Sequence, residues 1–323
     1  MSDLSETLPL LSPWHAGERM AQDRAGTAEH MAAIGPRVIR HFMPDQHRAF
    51  FAQQPFIVVG SLDAERRPRA SILAGLPGFV SSPHPRRLEV EANPVPGDPL
   101  GEALVVGAPL GILGIELPTR RRNRVNGKVV ARDEAGFALH VTESFGNCPQ
   151  YIQRRDYTSF GPRASRMERF DGLTGEAAAL IRGADTMFVA SAAPRDGGDP
   201  FTIDVSHRGG QPGFLGIDAE GRIVVPDFRG NGFFQTIGNL LAFPRAGMLI
   251  PDFATGDLLQ VTGDAEVVWD GPEVDAIDGA ERLWRVTPRE GRWLRQAFPL
   301  GFGPAELSPR SMAMGTYSSP TTP

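Results

Sequence analysis

The sequence predicts a mainly β protein of the α+β class, in which two tandem copies of one antiparallel barrel are flanked by helices. Two features predict this fold class. Short runs rich in β-branched and aromatic residues alternate with turns that contain glycine, as is typical of antiparallel barrels. Several of these runs then recur in the second half of the chain at a nearly constant distance.

Four segments make up this repeat. FIVVGS (56–61) recurs as MFVASA (187–192), PGFV (77–80) as PGFL (212–215), GILGIEL (111–117) as AGMLIPDF (246–253), and VNGKV (125–129) as VTGDAEV (261–267). The paired segments start 131 to 136 positions apart. Because a unit of that length can bury its own core, the repeat indicates a duplicated domain and not a solenoid.

We therefore expect two barrel domains that are joined by a polar connection. The expected boundaries are an N-terminal arm with helices at 1–54, a first barrel at 55–157, a linker and helix at 158–184, a second barrel at 185–300 and a flexible tail at 301–323. The tail is expected to be disordered because it is rich in Ser, Thr and Pro.

Helices are predicted where apolar residues recur at helical spacing. The first runs from Gln22 to Ile34 and ends before Gly35-Pro36, and the second runs from Pro44 to Gln53 with Phe50 and Phe51 on its apolar face. Further helices are predicted at Gly175–Arg182, Val274–Trp284 and Arg289–Phe298.

The strands of the first barrel are predicted in chain order from their alternation. FIVVGS and RASILAGLP form a hairpin around a charged turn, and PGFV and LEVEA follow as short strands. PLGILGIEL has enough glycine to suggest a bend or a close backbone approach. Two strands joined by the turn at Asp133 to Gly136 complete this barrel.

Composition excludes several classes of protein. A net charge of -5 argues against nucleic-acid binding, which needs a concentrated basic face. No apolar run is long enough to span a membrane, and the first twenty residues do not resemble a secretory signal, so we expect a cytoplasmic protein. The single Cys148 excludes an internal disulfide and is expected to be a buried thiol.

The stretch from Asp204 to Asn239 is the strongest candidate for a site. It contains a polar cluster, a Pro212-Gly213 turn and a buried strand, followed by Arg229 and Asn231 among glycines just before a predicted helix start. Such a loop offers backbone N–H groups and a guanidinium to a phosphate. The alternative is that the glycines serve a tight turn and that Arg229 is a solvated loop residue.

Other kinds of site are not supported. The glycine spacing matches neither a phosphate-binding Walker loop nor a dinucleotide fingerprint, and no catalytic triad order, HExxH motif or useful carboxylate pair is present. His41 and His47 are six residues apart, too far to share one helical face as a metal pair, so no metal site is predicted.

The chain resembles the pyridoxamine 5′-phosphate oxidase-like family of FMN-binding split β-barrels, and specifically its uncharacterised two-barrel branch. The resemblance rests on SPWHAGE (12–18), MPDQHRAFF (43–51), LPTRRRNRVNG (117–127), SFGNCPQYIQRR (144–155) and residues 204–263. It covers most of the chain and implies two tandem split β-barrel domains. It implies no single activity, because this fold supports several functions.

The resemblance also implies a set of cofactor-binding residues in the second barrel. The isoalloxazine ring would lie against Ser206, His207, Arg208, Gly209, Pro226 and Asp227. The phosphate would be held by Arg229, Asn231, Gln235 and Asn239, and Gln260 would reach the edge of the ring. His207 and Arg208 are the candidate catalytic residues, because His207 can exchange a proton near neutral pH. The alternative for His207 is a histidine whose hydrogen bonds are satisfied within the fold.

One departure from the family pattern and two further features bear on this assignment. Gly232 stands where relatives of this branch carry a second arginine, so we expect FMN to bind more weakly. The first barrel has an acidic, proline-containing stretch in place of the phosphate loop and is predicted to be a degenerate copy without its own cofactor. The run Arg120 to Arg124 is interpreted as a surface strand end, with an anion contact across the interface as the alternative.

Three functions stay open at this point. The first is an FMN oxidoreductase that acts on a small molecule and receives electrons from NAD(P)H or a partner reductase. The second is a haem-binding or haem-degrading protein with His15, His84 or His207 as the axial ligand. The third is a cofactor-free binding module, and a deazaflavin is an alternative to FMN. The resemblance further implies a homodimer, with the FMN of the second barrel held at the dimer interface; the alternative is a monomer whose two barrels form the pocket alone.

Overall fold

The computed structural model describes residues 12–161, 164–173, 175–195 and 198–317, and two antiparallel sheets dominate it. The predicted mainly β fold is confirmed. The expectations for residues 1–11 and 318–323 lie outside the described residues. No helix in the described part of the chain is long and apolar enough to cross a membrane.

The N-terminal region forms three helices: α1 (Ala16–Arg24), α2 (Ala28–Val38) and α3 (Asp45–Ala52). The third agrees with the prediction, whereas the single helix expected from Gln22 to Ile34 is wrong. Gly26 adopts a left-handed conformation with φ of +68° and separates α1 from α2. Helix α2 then continues through Pro36.

The first sheet has seven strands. They are β1 (Phe56–Leu62), β2 (Pro68–Ala74), β3 (Val80–His84), β4 (Arg87–Val90), β5 (Pro109–Glu116), β6 (Arg121–Arg132) and β7 (Phe137–Gly146), with the short helix α4 (Leu100–Ala103) between β4 and β5. Their order across the sheet is β2-β1-β5-β6-β7-β4-β3.

The second half follows the same plan. After β8 (Tyr157–Phe160) and β9 (Arg166–Phe170), it contains α5 (Gly175–Gly183), β10 (Thr186–Arg195), β11 (Gly198–Gly209), β12 (Gly216–Ile217), β13 (Ile223–Phe228), α6 (Gln235–Ala242), β14 (Arg245–Pro251), β15 (Leu258–Val268), α7 (Pro272–Asp275), β16 (Ala280–Arg295), β17 (Leu300–Phe302) and α8 (Pro309–Met312). The order β11-β10-β14-β15-β16-β13-β12 repeats that of the first sheet strand for strand, with β9 added beside β16. The two sheets therefore have the same order of equivalent strands, in agreement with the duplication seen in the sequence.

Two expectations for the end of the chain are wrong. The predicted helices at Val274–Trp284 and Arg289–Phe298 are replaced largely by the long strand β16, which pairs with β9, β13 and β15. Pro288 lies in this strand, beside the shift in its pairing with β15, where its missing N–H is tolerated. The backbone pairing on both sides outweighs the helix-like spacing of the apolar residues.

The connecting and terminal segments are also more ordered than expected. The polar stretch expected as a linker contributes β8 and β9, and β8 pairs with β17. Residues 301–317, expected to be a flexible tail, include α8 and end with the Tyr317 backbone N–H donating to the Gly213 carbonyl at 2.8 Å. The Tyr317 contact attaches this described segment to the second half.

The two sheets pack against each other through an apolar core that is distinct from the core of each half. Phe56 and Leu113 contribute to it from the first half, and Phe188 and Leu249 from the second. The backbones approach closely: a Cβ atom at Gly247 would lie 2.1 Å from the Pro68 carbonyl oxygen. The two barrel-like halves thus pair within one chain.

Candidate functional site

A cavity of about 570 Å³ opens where the two halves meet, and residues from both sheets line it. This volume is in the range of pockets that bind small molecules and cofactors. Nine of the residues predicted from the sequence line it together: Ser206, His207, Arg208, Gly209, Pro226, Asp227, Arg229, Asn231 and Gln235.

The carboxylate of Asp227 on β13 holds two of the cationic side chains in the cavity. One oxygen accepts a hydrogen bond from Arg208 Nη1, and the other accepts from Arg282 Nη1 at 2.6 Å. The Arg282 guanidinium also lies over the Phe234 ring, 4.8 Å from its centroid. Asp227 therefore positions arginines and has both oxygens engaged within the protein.

The loop after β13 brings Arg229 and Asn231 to the mouth of the cavity, where both residues are exposed. The Arg229 carbonyl accepts from the Tyr151 hydroxyl at 3.0 Å, and Asn231 Oδ1 accepts from the Phe233 N–H at 3.2 Å. No acceptor for the Arg229 guanidinium is found in the described part of the chain. This cation is available to a ligand.

Helix α6 begins directly after this loop, and its first turn lines the cavity through Gln235, Thr236 and Ile237. Phe234, with φ of +59°, precedes the helix and provides no side-chain cap. The first N–H groups of an α-helix have no acceptor within the helix and carry a partial positive charge. The predicted helix start thus presents uncapped amide groups beside Arg229.

Arg124, for which a surface position was the preferred interpretation, is inserted into the site by β6 of the first half. Its guanidinium is buried and donates to Asp204 Oδ1 at 3.1 Å, Gln235 Oε1 at 2.7 Å and Ser206 Oγ at 2.6 Å. Burial of the guanidinium lowers the pKa of Arg124 and the Asp204 carboxylate raises it, with burial the larger effect. Arg124 ties the strand β11 to the start of α6.

Arg122 lies on the same face of β6 and lacks a carboxylate partner in the described part of the chain. Its Nε donates to the Cys148 carbonyl at 2.7 Å and its Nη1 to the His207 carbonyl at 3.2 Å. Burial, with further contributions from the Arg124 and Arg208 cations, lowers the pKa of Arg122 to about 9. An anion bound here would relieve the repulsion between these like charges.

The interpretation of Arg120 to Arg124 as a surface strand end is correct for only part of the run. Arg120 forms an ion pair with Glu306 at 2.9 Å, and Arg121 is exposed with its guanidinium over the Phe50 ring. Arg122 and Arg124 instead line the cavity. The available signal was the spacing of two residues, which places both side chains on one face of a strand.

His207 is 4% exposed, and neither ring nitrogen has a hydrogen-bond partner among the described residues. Burial, followed by the nearby Arg122 and Arg208 cations, lowers the pKa of His207 well below its ordinary value. The imidazole is therefore neutral at physiological pH, with one nitrogen able to donate and the other to accept. The alternative of a histidine satisfied within the described part of the fold is therefore wrong, and so is the expectation that His207 exchanges a proton near neutral pH.

Two of the residues assigned to the cofactor do not line the cavity. Asn239 is fully buried, and its Nδ2 donates to Asp204 Oδ2 at 2.9 Å and to the Ser191 carbonyl at 3.1 Å. Gln260 points across the interface, where its Nε2 donates to the Ala70 carbonyl at 2.9 Å. Each is corrected to a structural position, because its amide is already used by the protein.

Of the other proposed axial histidines, neither lines the cavity, whereas Cys148 does. His15 caps α1 and lies 2.8 Å from Asn239 Oδ1, while His84 is exposed and accepts from the Arg86 N–H. His207 is thus the one proposed axial histidine that lines this cavity. Cys148, expected to be buried, is half-buried on the cavity wall.

The cavity as a whole is cationic. The carboxylates in the described lining are Asp227 and Glu281. Five arginines line the cavity with them: Arg122, Arg124, Arg208, Arg229 and Arg282. Guanidinium groups suit planar and phosphate anions because they form two parallel hydrogen bonds. No cluster of three or more His, Cys, Asp or Glu side chains suited to a metal ion is found among the described residues. The arrangement fits an anionic organic ligand.

No protein-family model and no curated protein matches the chain. Among solved structures, it is similar to HupZ of Group A Streptococcus, with 11% identity over 38% of this chain and 94% of that chain, at a TM-score of 0.28. It is also similar to a putative pyridoxamine 5′-phosphate oxidase of Lactobacillus delbrueckii, with 14% identity over 33% of this chain and 95% of that chain, at a TM-score of 0.27. A conserved hypothetical protein of Mycobacterium tuberculosis is 17% identical over 40% of this chain and 89% of that chain, at a TM-score of 0.28. Identities and TM-scores of this size carry no conclusion on family or activity.

Proposed function

We propose that the chain binds FMN in the cavity between its two halves and acts as a flavin-dependent oxidoreductase on a small molecule. The observation that carries this proposal is the convergence of five arginines and an uncapped helix start on one cavity that also contains a neutral, unpartnered histidine. The sequence resemblance supplies the choice of FMN among phosphorylated planar ligands.

The phosphate of FMN fits the loop and helix start of the second half. Arg229 offers a guanidinium that has no acceptor among the described residues, and the first turn of α6 offers amide groups. Asn231 stands beside them with its amide nitrogen available to donate. Charge-assisted hydrogen bonds of this kind are the strong ones in anion recognition.

The ring of FMN would be held by the end of β11 and by the cavity wall formed by β13. When bound, FMN supplies the electron transfer, and the protein supplies orientation and electrostatics. Neutral His207 would donate or accept a hydrogen bond at a ring nitrogen, and Arg208, held by Asp227, would orient an anionic substrate group. These are the two residues that we assign to catalysis.

Gly232 leaves the loop without the second arginine that the family resemblance implies at this position. Its φ of +76° favours glycine, and a Cβ atom there would lie 3.3 Å from the Met31 side chain. Arg282 and the two arginines of β6 offer positive charge to the cavity from other elements. We therefore propose that FMN affinity is retained by cations from outside the loop.

We further propose that NAD(P)H or a partner reductase donates the electrons. We also propose that the protein is a cytoplasmic homodimer. The cavity is lined by both halves of one chain, so ligand binding needs no second copy. A homodimer would then add an interface without completing the site.

Haem is the second candidate, because the unpartnered ring nitrogens of His207 also suit an axial ligand. Titration of the purified protein with FMN, riboflavin and haemin separates the two. The proposal predicts that FMN fluorescence is quenched on binding and that riboflavin, which lacks the phosphate, binds far more weakly. Equal binding of FMN and riboflavin, or binding of haemin alone, would contradict it.

A further inference from the structure

Three of the five arginines in the cavity form ion pairs with the carboxylates of Asp204 and Asp227. The other two, Arg122 and Arg229, have no carboxylate partner in the described part of the chain. They come from different halves, because Arg122 lies on β6 and Arg229 follows β13. FMN carries one phosphate, which the proposed function places at Arg229. Arg122 is therefore left to bind a different anionic group.

The protein holds the side chain of Arg122 in one orientation. Its Nε donates to the Cys148 carbonyl at 2.7 Å, and its Nη1 donates to the His207 carbonyl at 3.2 Å. Its Nη2 has no acceptor among the described residues, and the side chain lines the cavity. Because the guanidinium is already oriented, an anion that binds to it loses less free energy to side-chain ordering. Arg122 is thus a prepared contact for an anion in the cavity wall of the first half.

Asn147 brings a hydrogen-bond acceptor to the same wall. Its backbone N–H donates to the Arg122 carbonyl at 3.2 Å, and the next residue, Cys148, accepts from the Arg122 side chain. Asn147 lines the cavity, and its Oδ1 is enclosed without a hydrogen-bond partner among the described residues. A buried acceptor without a donor is unfavourable, and an O–H or N–H group of a ligand would satisfy it.

This pair of groups selects the chemistry of a ligand. A carboxylate matches the guanidinium of Arg122, and a hydroxyl on the neighbouring carbon matches the amide oxygen of Asn147. A hydroxyl suits this place better than an ammonium group, because Arg122 and Arg208 already make the wall positive. The unpartnered imidazole of His207, whose carbonyl accepts from Arg122, lies in the same wall. The wall therefore fits a 2-hydroxy carboxylate.

We propose that Arg122 and Asn147 form a subsite for a 2-hydroxy carboxylate beside the flavin. The carboxylate pairs with Arg122, and the hydroxyl donates to Asn147 Oδ1. The rings of Phe214, Phe228 and Phe234 also line the cavity and can contact an apolar group of the ligand. The role of this ligand as the substrate rests on the proposed function and deepens it, whereas its binding does not depend on FMN.

Mandelate, phenylacetate and mandelamide test the two contacts separately, because they share a phenyl group and differ in one polar group each. Phenylacetate lacks the hydroxyl, and mandelamide has a neutral amide in place of the carboxylate. Isothermal titration of the wild type at saturating FMN should show that mandelate binds and that each of the other two binds about 10-fold more weakly. Absence of mandelate binding, or equal binding of all three compounds, would overturn the proposal.

Two variants connect each preference with one side chain. Arg122→Gln should bind mandelate and mandelamide alike while it still prefers mandelate to phenylacetate. Asn147→Ala should bind mandelate and phenylacetate alike while it still prefers mandelate to mandelamide. Arg289→Ala, which changes an exposed arginine outside the cavity lining, should keep both preferences. If a cooperatively folded Arg122→Gln or Asn147→Ala protein loses both preferences or neither, the assignment is refuted.

The same titrations without FMN distinguish the failure of this inference from that of the proposed function. If FMN does not bind but the free protein binds mandelate with both preferences, the flavin proposal fails and the subsite stands. If FMN binds and mandelate competes with it, the flavin proposal stands and a separate subsite is refuted, because the FMN phosphate would then occupy the place at Arg122.

Discussion

The Arg229→Ala substitution separates ligand recognition from folding more cleanly than any other change in the cavity. The Arg229 residue is exposed, and its guanidinium has no acceptor in the described part of the chain. Truncation therefore removes no internal hydrogen bond or ion pair from that part. We expect the denaturation midpoint of the variant to equal that of the wild type, because exposed substitutions of this kind change stability little.

The expected loss of FMN affinity follows from the same geometry. A hydrogen bond to a charged group contributes about 1.5 to 3 kcal/mol, which corresponds to roughly 10- to 150-fold in Kd. Because Arg229 is exposed to solvent, screening favours the lower end, and we expect about a 10-fold increase in Kd at low ionic strength. The dependence of Kd on salt should also become weaker.

Fluorescence quenching of FMN at fixed ionic strength measures this effect. Arg289→Ala is the matched control, since Arg289 is an exposed arginine that pairs with Asp264 at 2.7 Å and does not line the cavity. The control should bind FMN like the wild type. If Arg229→Ala and Arg289→Ala give the same Kd, the assignment of the phosphate to this loop is refuted.

Three further predictions concern buried charges near the site. Asp204→Ala should lower the free energy of unfolding by about 3 to 5 kcal/mol, because it leaves the buried Arg124 cation without its carboxylate. Denaturant titration measures this loss. A loss below about 1 kcal/mol, typical of a surface pair, would contradict the prediction. Arg122→Gln should keep or raise the unfolding midpoint while weakening FMN binding, since the cation has no carboxylate partner among the described residues; a large loss of stability would argue against an unpaired cation. Burial raises the pKa of Asp98 from 3.8 to about 6, so the folded protein holds this proton more tightly than the unfolded chain. Stability should therefore fall by about 3 kcal/mol as pH rises from about 4 to 6, relative to Asp98→Asn, and parallel pH profiles of the two proteins would contradict the assignment.

The repeat in the sequence predicted the duplicated β fold because strand alternation and turn glycines are local signals. The same local reasoning failed for β16. Its apolar residues are spaced in a way that also suits a helix, and only its pairing with strands distant in sequence decides the outcome. The prediction of a flexible tail was wrong for residues 301–317 for a similar reason. The composition of this segment does not show that Tyr317 contacts Gly213.

The candidate site was predictable where its residues lie in one continuous stretch. Ser206 to Asn231 come together in the cavity through β11, β13 and the loop before α6. Arg122 and Arg124 were assigned to the surface by preference, because the spacing of two residues shows that they share a strand face but not that this face meets the other half. Gln260 was misplaced for the same reason: its side chain points across the interface into the first half, beside Asp98.

The visible absorption spectrum of the protein, purified without added cofactor and again after incubation with FMN, decides whether the cavity holds a flavin. We expect the two bands of an oxidised flavin, retained after gel filtration at one FMN per chain and bleached by a chemical reductant. A single intense Soret band would indicate haem at His207, and a protein that stays colourless after incubation with FMN would contradict the flavin assignment.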